Sequence, residues 1–199
     1  DVFLTTHEDK LIVVNDDDLY FYDTLSDTAT PTSTVTPSSG NTVIDVADNG
    51  QITTTLHANG AIYKTDNSGT STLHKTLVGA NSIQWVKDYL IVGDQNVLKD
   101  ATGSASPHTI YTHPDTNYRW VDYAPGQTAI YALGGLGKRY QVHRIMIQED
   151  GTSFSTAIVA ATLPDGEIGY AIGEYLGVIF IGNNRGIRMA SMNSDGSLT

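Results

Sequence analysis

The sequence contains no cysteine and few basic residues, and these two shortages limit the kinds of cross-link, metal site and binding partner that we expect. Without cysteine, the 199 residues form no disulfide and offer no thiolate to a metal ion. Lysine and arginine together number 11 against 22 aspartates and glutamates, which gives a net charge of −11. Because like charges repel, we expect neither nucleic acid nor an anionic membrane surface as a partner.

The chain also lacks a long apolar run and the pattern of a signal peptide. No stretch of about 18 apolar residues occurs, so we expect no insertion into a membrane. No basic segment followed by an apolar one stands at the start, so no signal peptide is visible. The sequence begins at Asp1 and stops at Thr199 in the middle of a repeating pattern, so we expect a fragment of a longer chain.

What the sequence does contain is a repeat of about 40 residues. A short strand of apolar and β-branched residues, a turn rich in Gly, Asn and Asp, and a second strand recur five times. The first strands of these hairpins begin at residues 11, 53, 90, 129 and 178. A third strand precedes each hairpin, and a fourth comes after each hairpin except the last, where the sequence stops.

Four-stranded units of this length predict an all-β fold, a β-propeller of four-stranded antiparallel blades with an incomplete last blade. A lone sheet cannot cover both of its faces, whereas sheets packed face to face around an axis can. We expect residues 1–199 to form one propeller domain or a segment of one. The approximate blades are 1–40, 41–80, 81–117, 118–165 and 166–199. A β-solenoid or a stack of separate sandwiches is the alternative topology.

Motifs that would indicate catalysis or metal binding are not found. The six histidines form none of the closely spaced pairs that bind zinc, and no nucleophile elbow or phosphate-binding loop occurs. We therefore predict no catalytic residue, no metal site and no cofactor.

Three aromatic residues on or just past the predicted innermost strands are candidate binding residues: Trp85, Trp120 and Tyr123. Innermost strands line the axial channel of a propeller, and aromatic rings at its mouth can stack on sugar rings. The alternative is that these rings pack in the core between neighbouring blades. The sequence leaves both open.

The last predicted blade carries a pattern of a known family. A strand is followed by Gly182–Arg188, then by a second strand and the turn Ser194–Thr199. This pattern resembles a motif in the minor tail proteins of tailed phages, particularly those that infect actinobacteria. The resemblance implies a non-enzymatic virion protein of the tail tip or a fibre. Its expected partners are other tail proteins, further copies of itself and host-surface carbohydrate.

Two other function classes stay open. A propeller glycan hydrolase or lyase would need a pair of carboxylates roughly 5 to 10 Å apart at the channel mouth. The carboxylates on or beside the predicted innermost strands are Asp45, Asp88, Asp122, Glu167 and Glu174. A scaffold that binds protein partners is the second class, although the G-H and W-D signatures of WD40 repeats are missing.

Overall fold

The structure is a computed structural model that describes residues 1–23, 30–126, 128–150 and 153–199. These residues form β-strands joined by turns and irregular segments, with no helix among them. Within these ranges, therefore, no helix is long and apolar enough to cross a membrane.

The described strands form five antiparallel sheets, numbered here as blades 1 to 5. Blade 1 consists of β1 (Val2–His7), β2 (Lys10–Asn15), β3 (Asp18–Tyr22) and β4 (Ser33–Val35). Blade 2 consists of β5 (Val43–Asp48), β6 (Ile52–His57), β7 (Ala61–Asp66) and β8 (Ser71–Thr76). Blade 3 consists of β9 (Ala80–Val86), β10 (Tyr89–Asp94), β11 (Val97–Asp100) and β12 (His108–Thr112).

The two remaining blades have the same order. Blade 4 consists of β13 (Arg119–Pro125), β14 (Ala129–Leu136), β15 (Arg139–Met146) and β16 (Ile158–Thr162). Blade 5 consists of β17 (Gly169–Tyr175), β18 (Val178–Asn183) and β19 (Gly186–Ser191). In every blade, strands that are consecutive in the sequence pair with one another, so each blade is a simple meander.

Tight hairpin turns set the strand register within the blades. Five two-residue turns begin with a non-glycine residue at positive φ: Glu8, Asp16, Lys87, Gln95 and Leu176. Such turns twist in the same sense as the flanking strands, which is why short polar loops suffice to connect them.

The innermost strands pack side by side in the order β1, β5, β9, β13 and β17. The five blades therefore succeed one another around a common axis, and the sequence-based prediction of a β-propeller is confirmed. The last blade is incomplete, as expected, because its sheet has three strands. After β19 the chain turns back, and Ser191 and Thr199 exchange two backbone hydrogen bonds of 2.7 and 3.1 Å.

Each interface between neighbouring blades contains its own apolar cluster. Two consecutive residues of the innermost strand of blade 2 illustrate this. Val46 packs against the cluster between blades 1 and 2, whereas Ala47 belongs to the cluster between blades 2 and 3. Side chains alternate between the two faces of a strand, so one innermost strand contributes to two clusters. The core is therefore divided among the interfaces, and each blade depends on its neighbours for burial.

Candidate functional site

The innermost strands of blades 2 to 5 share a local irregularity near their beginning. In each, one residue has no partner in the register with the second strand, as in a β-bulge. The residues immediately after this irregularity are Asp45, Ser82, Asp122 and Ala171. Equivalent positions of four blades therefore carry two carboxylates, one hydroxyl and one methyl group.

The two carboxylates each connect one blade to the next. Oδ2 of Asp45 accepts a hydrogen bond of 2.8 Å from the backbone N–H of Ile83, on the innermost strand of blade 3. Oδ2 of Asp122 accepts one of 2.8 Å from the backbone N–H of Ile172, on the innermost strand of blade 5. Since Ile83 and Ile172 occupy equivalent positions, the same contact is repeated at two interfaces.

The interface between blades 3 and 4 uses a neutral version of this contact. The hydroxyl groups of Ser82 and Tyr123 lie 2.7 Å apart, and Ser82 Oγ also donates to the backbone oxygen of Trp120 at 3.3 Å. Burial raises the pKa of Tyr123 well above its usual value, so this hydroxyl stays protonated.

Burial also changes the titration of the two carboxylates. It raises the pKa of Asp45 to about 7, although the backbone N–H groups of Ile83 and Val46 act in the opposite direction. It raises the pKa of Asp122 to about 6 in the same way. Raised carboxyl pKa values occur at catalytic sites and in structural networks alike, so the contacts decide between these roles. Here both carboxylates accept a hydrogen bond from the backbone of an adjacent innermost strand, which is the contact of a structural group.

The structure places the three aromatic candidate residues in two different environments, two in the core and one partly exposed. Trp120 is 0% exposed and Tyr123 is 2% exposed, and both belong to the cluster between blades 3 and 4. Neither ring is available for stacking on a sugar, which agrees with the core-packing alternative. Trp85 is half-buried, its Nε1 donates to Thr54 Oγ1 at 3.0 Å, and the Lys64 amine lies 5.2 Å from its ring centre. Binding of sugar by Trp85 stays a prediction.

The remaining carboxylates of the hydrolase alternative lie at separate places. Glu167 is buried and accepts hydrogen bonds from Nε and an Nη of Arg188, which lower its pKa. Asp88 is exposed in the turn between β9 and β10. Glu174 Oε1 accepts a hydrogen bond of 2.7 Å from the N–H of Gly177.

Glu174 lines a cleft of about 470 Å³ between blades 4 and 5. We call this space the interblade cleft. Its walls come from the turn after β13, from β14 and β15, from the turn after β17 and from the loop Met192–Gly196. Tyr131 fixes that loop to blade 4, because its hydroxyl donates to the backbone oxygen of Gly196 at 2.9 Å.

The polar side chains of the interblade cleft are two carboxylates, which accept hydrogen bonds, and hydroxyl and amide groups, which can also donate them. Asp195 Oδ1 accepts from the N–H and the hydroxyl of Ser197 at 2.9 and 2.7 Å. These bonds, with a smaller effect of nearby Arg144, hold the pKa of Asp195 below its usual range. Asn193 and Glu174 add an amide and a second carboxyl, while Met146 and Met192 supply apolar surface.

This composition suits a hydroxyl-rich ligand. Carboxylate and amide oxygens accept hydrogen bonds from hydroxyl groups, and methionine side chains cover the C–H faces between them. No cluster of three or more potential ligands for a metal ion occurs within the described ranges. From the sequence, Glu174 was a candidate carboxylate. Asn193 was not singled out, and Asp195 counted only as part of a turn, because nothing local shows that this loop folds back onto blade 4.

Comparison with known proteins identifies the fold alone. No family model matches the sequence, and no curated protein matches it. The computationally designed protein Ika8 is similar with a TM-score of 0.65 and 12% identity, over 95% of this chain and 57% of that chain. The designed protein Ika4 is similar with a TM-score of 0.55 and 12% identity, over 80% of this chain and 97% of that chain.

A natural protein with a similar structure is Raptor from Chaetomium thermophilum. The TM-score is 0.66 and the identity 12%, over 98% of this chain and 20% of that chain. The chain thus spans a little over half the length of Ika8 and a fifth of that of Raptor. At this identity the similarity concerns the arrangement of blades and carries no information about ligands.

Proposed function

We propose that this chain is a non-enzymatic structural and interaction module of a phage tail, in the tail tip or a fibre, which binds host-surface glycan in the interblade cleft. In the virion it contacts other tail proteins. The observation that carries the glycan part of the proposal is the polar lining of this cleft, with Glu174, Asn193 and Asp195 around one space.

Two further observations support the proposal. The Ser194–Thr199 segment, which resembles the phage tail motif, contributes Ser194, Asp195 and Gly196 to the wall of the cleft. Asp45 and Asp122, the carboxylates with raised pKa values, are engaged with the backbone of neighbouring blades. They have the contacts of structural groups, and this favours a module that binds over one that cleaves.

The test of glycan binding uses cell-wall polysaccharide purified from an actinobacterial host, measured by isothermal titration calorimetry. We expect Glu174→Gln and Asp195→Asn each to weaken binding about tenfold or more, because each removes a charged acceptor. Both variants keep an oxygen for the bonds from Gly177 and Ser197. Asp88→Asn is the matched control, since it changes a carboxyl of an exposed turn on blade 3, and we expect its affinity to equal that of the wild type.

Four results would overturn parts of the proposal. Absence of heat change with a folded wild-type chain excludes the glycan ligand tested. If all three variants bind with the affinity of the wild type, the ligand does not bind in the interblade cleft. Release of reducing sugar from the same polysaccharide by the wild type contradicts the non-enzymatic assignment. The virion assignment is tested by mass spectrometry of purified particles from a phage that encodes this sequence, where absence of its peptides contradicts it.

A further inference from the structure

A second cleft, of about 290 Å³, lies one interface before the interblade cleft, between blades 3 and 4. We call this space the second cleft. Its walls come from the turn after β9 with Tyr89, from the turn after β13 and from the segment after β15. The interblade cleft uses the corresponding parts of the next interface, namely the turn after β13, the turn after β17 and the segment after β19. The two clefts therefore occupy equivalent places in successive interfaces.

Backbone hydrogen bonds show that the segments after β15 and β19 leave their blades in the same way. The N–H of Ile147 donates to the backbone oxygen of Thr128 at 2.9 Å. The N–H of Met192 donates to that of Gly177 at 3.1 Å. In each blade the acceptor is the residue just before the second strand, so Ile147 and Met192 hold equivalent positions.

The next residue of each segment carries an amide side chain. The N–H of Gln148 donates to the backbone oxygen of Ser153 at 2.8 Å, and the N–H of Asn193 donates to that of Ser197 at 2.9 Å. Gln148 lines the second cleft, whereas Asn193 lines the interblade cleft. Glu149 follows Gln148 and adds a carboxylate to the second cleft. The same loop therefore presents an amide beside a carboxyl group in both clefts, and amides and carboxylates bind hydroxyl groups.

The opposite wall is not repeated in this way. The turn after β9 contributes Lys87 and Asp88, whereas the turn after β13 contributes Gly126 and Thr128 to the interblade cleft. We therefore assign the contacts with sugar in the second cleft to the repeated loop, and not to the wall that contains Asp88.

The two clefts adjoin at Thr128. This exposed residue lines both of them, so a ligand that leaves one cleft across Thr128 enters the other. We propose that the two clefts form one groove that binds a linear, uncharged polysaccharide along its chain, with sugar units in both clefts. The groove rests on the proposed binding of glycan in the interblade cleft and adds to it the length and the charge of the ligand.

The absence of charge on the ligand follows from the groove and from the whole chain. Among the described residues that line the two clefts, four carry a carboxyl group and one, Lys87, carries an amine. The net charge of the chain is −11. This field repels an anionic polysaccharide, whereas an uncharged one keeps its hydrogen bonds to the amides and carboxylates.

The test separates actinobacterial cell-wall polysaccharide by anion exchange and cleaves the uncharged fraction into disaccharides, tetrasaccharides and octasaccharides. Isothermal titration calorimetry with the wild type should show one octasaccharide per chain. We expect it to bind about tenfold or more tightly than the disaccharide, because it occupies both clefts at once.

Gln148→Ala removes the amide of the second cleft. It should weaken binding of the octasaccharide about fivefold or more and leave that of the disaccharide, which binds in the interblade cleft, unchanged. Gln148 is exposed, so circular dichroism should show the variant folded. Gln51→Ala is the matched control, because Gln51 is exposed in a turn of blade 2, and it should bind both lengths like the wild type.

The outcomes separate the groove from the proposed function. Equal affinities of the wild type for disaccharide and octasaccharide, or an octasaccharide affinity that Gln148→Ala leaves unchanged, overturn the groove and leave the interblade cleft as a site for a short glycan. Equally tight binding of the anionic fraction overturns the uncharged ligand class. Absence of binding by every fraction overturns the groove together with the glycan part of the proposed function.

Discussion

Replacement of Asp45 by asparagine should remove a pH dependence of stability that the wild type shows. The pKa of Asp45 is raised from 3.8 to about 7 in the folded chain. The folded state therefore holds this proton more strongly than the unfolded state does, and folding gains free energy from it at low pH. This contribution is present in full below about pH 4 and is lost as the pH rises through about 7.

The magnitude is set by the two pKa values. Between about pH 5 and pH 8, the wild type should lose about 2 kcal/mol of unfolding free energy through Asp45, after allowance for partial exposure of its carboxyl. The asparagine amide of the variant carries no titrating proton and keeps one oxygen for the N–H of Ile83. The variant should therefore lack this loss, whatever its stability at a single pH.

Urea denaturation at a series of pH values, followed by tryptophan fluorescence, measures the effect as a difference between the two proteins. Histidines whose pKa burial lowers, such as His143, oppose the trend in both proteins and cancel in the difference. Asp122→Asn should remove a smaller dependence of about 1 kcal/mol, because its pKa is about 6. Asp88→Asn is the exposed control. Parallel profiles for wild type and Asp45→Asn would refute the reasoning.

Three further predictions concern packing, titration and the loop of the cleft. Gly93→Ala should destabilise the chain by about 1 to 3 kcal/mol in urea denaturation, because the new Cβ would lie 2.5 Å from two hydroxyl oxygens. Gly103→Ala, with no atom within 4 Å of its Cβ, should change stability by less than about 0.5 kcal/mol, and equal effects would contradict the packing. His143 should remain mostly neutral at about pH 5 in an NMR titration, since burial lowers its pKa to about 4, and a midpoint above about pH 6 would show that the ring is solvated. Tyr131→Phe should cost about 1 kcal/mol and speed amide exchange around Gly196, whereas unchanged exchange would show that this hydrogen bond does not hold the loop.

The repeat and its fold could be predicted from the sequence because the signal is local. Apolar runs such as Leu90–Val92, bounded by turns such as Gln95–Asn96, recur in each blade, and both features depend on neighbouring residues alone. Four of the five sheets lie within one predicted repeat each, and the sheet of blade 3 begins one residue before its predicted repeat, at Ala80. The incomplete last blade was visible as well, because the sequence shows no further strand after the last hairpin, and the described residues contain none after Ser191.

The roles of individual innermost-strand residues could not be predicted, because they depend on contacts between blades. Trp120 and Asp122 are two residues apart, yet one fills a core and the other binds the backbone of Ile172, 50 residues later. The bulge between them also shifts the alternation of side chains, so a simple period of two assigns the residues after the bulge to the wrong face. The interblade cleft could not be predicted for a similar reason. Gly196 contacts Tyr131 only because the segment after β19 folds back onto blade 4.

The central claim is that neighbouring blades bury their faces against one another around one axis, and through-space NMR contacts between blades test it most directly. We expect contacts from the Ile83 amide to the Asp45 methylene, from the Ile172 amide to the Asp122 methylene, and between Tyr123 and Ser82. Strong contacts within each blade without any of these three would mean that the sheets do not stack, and would contradict the account.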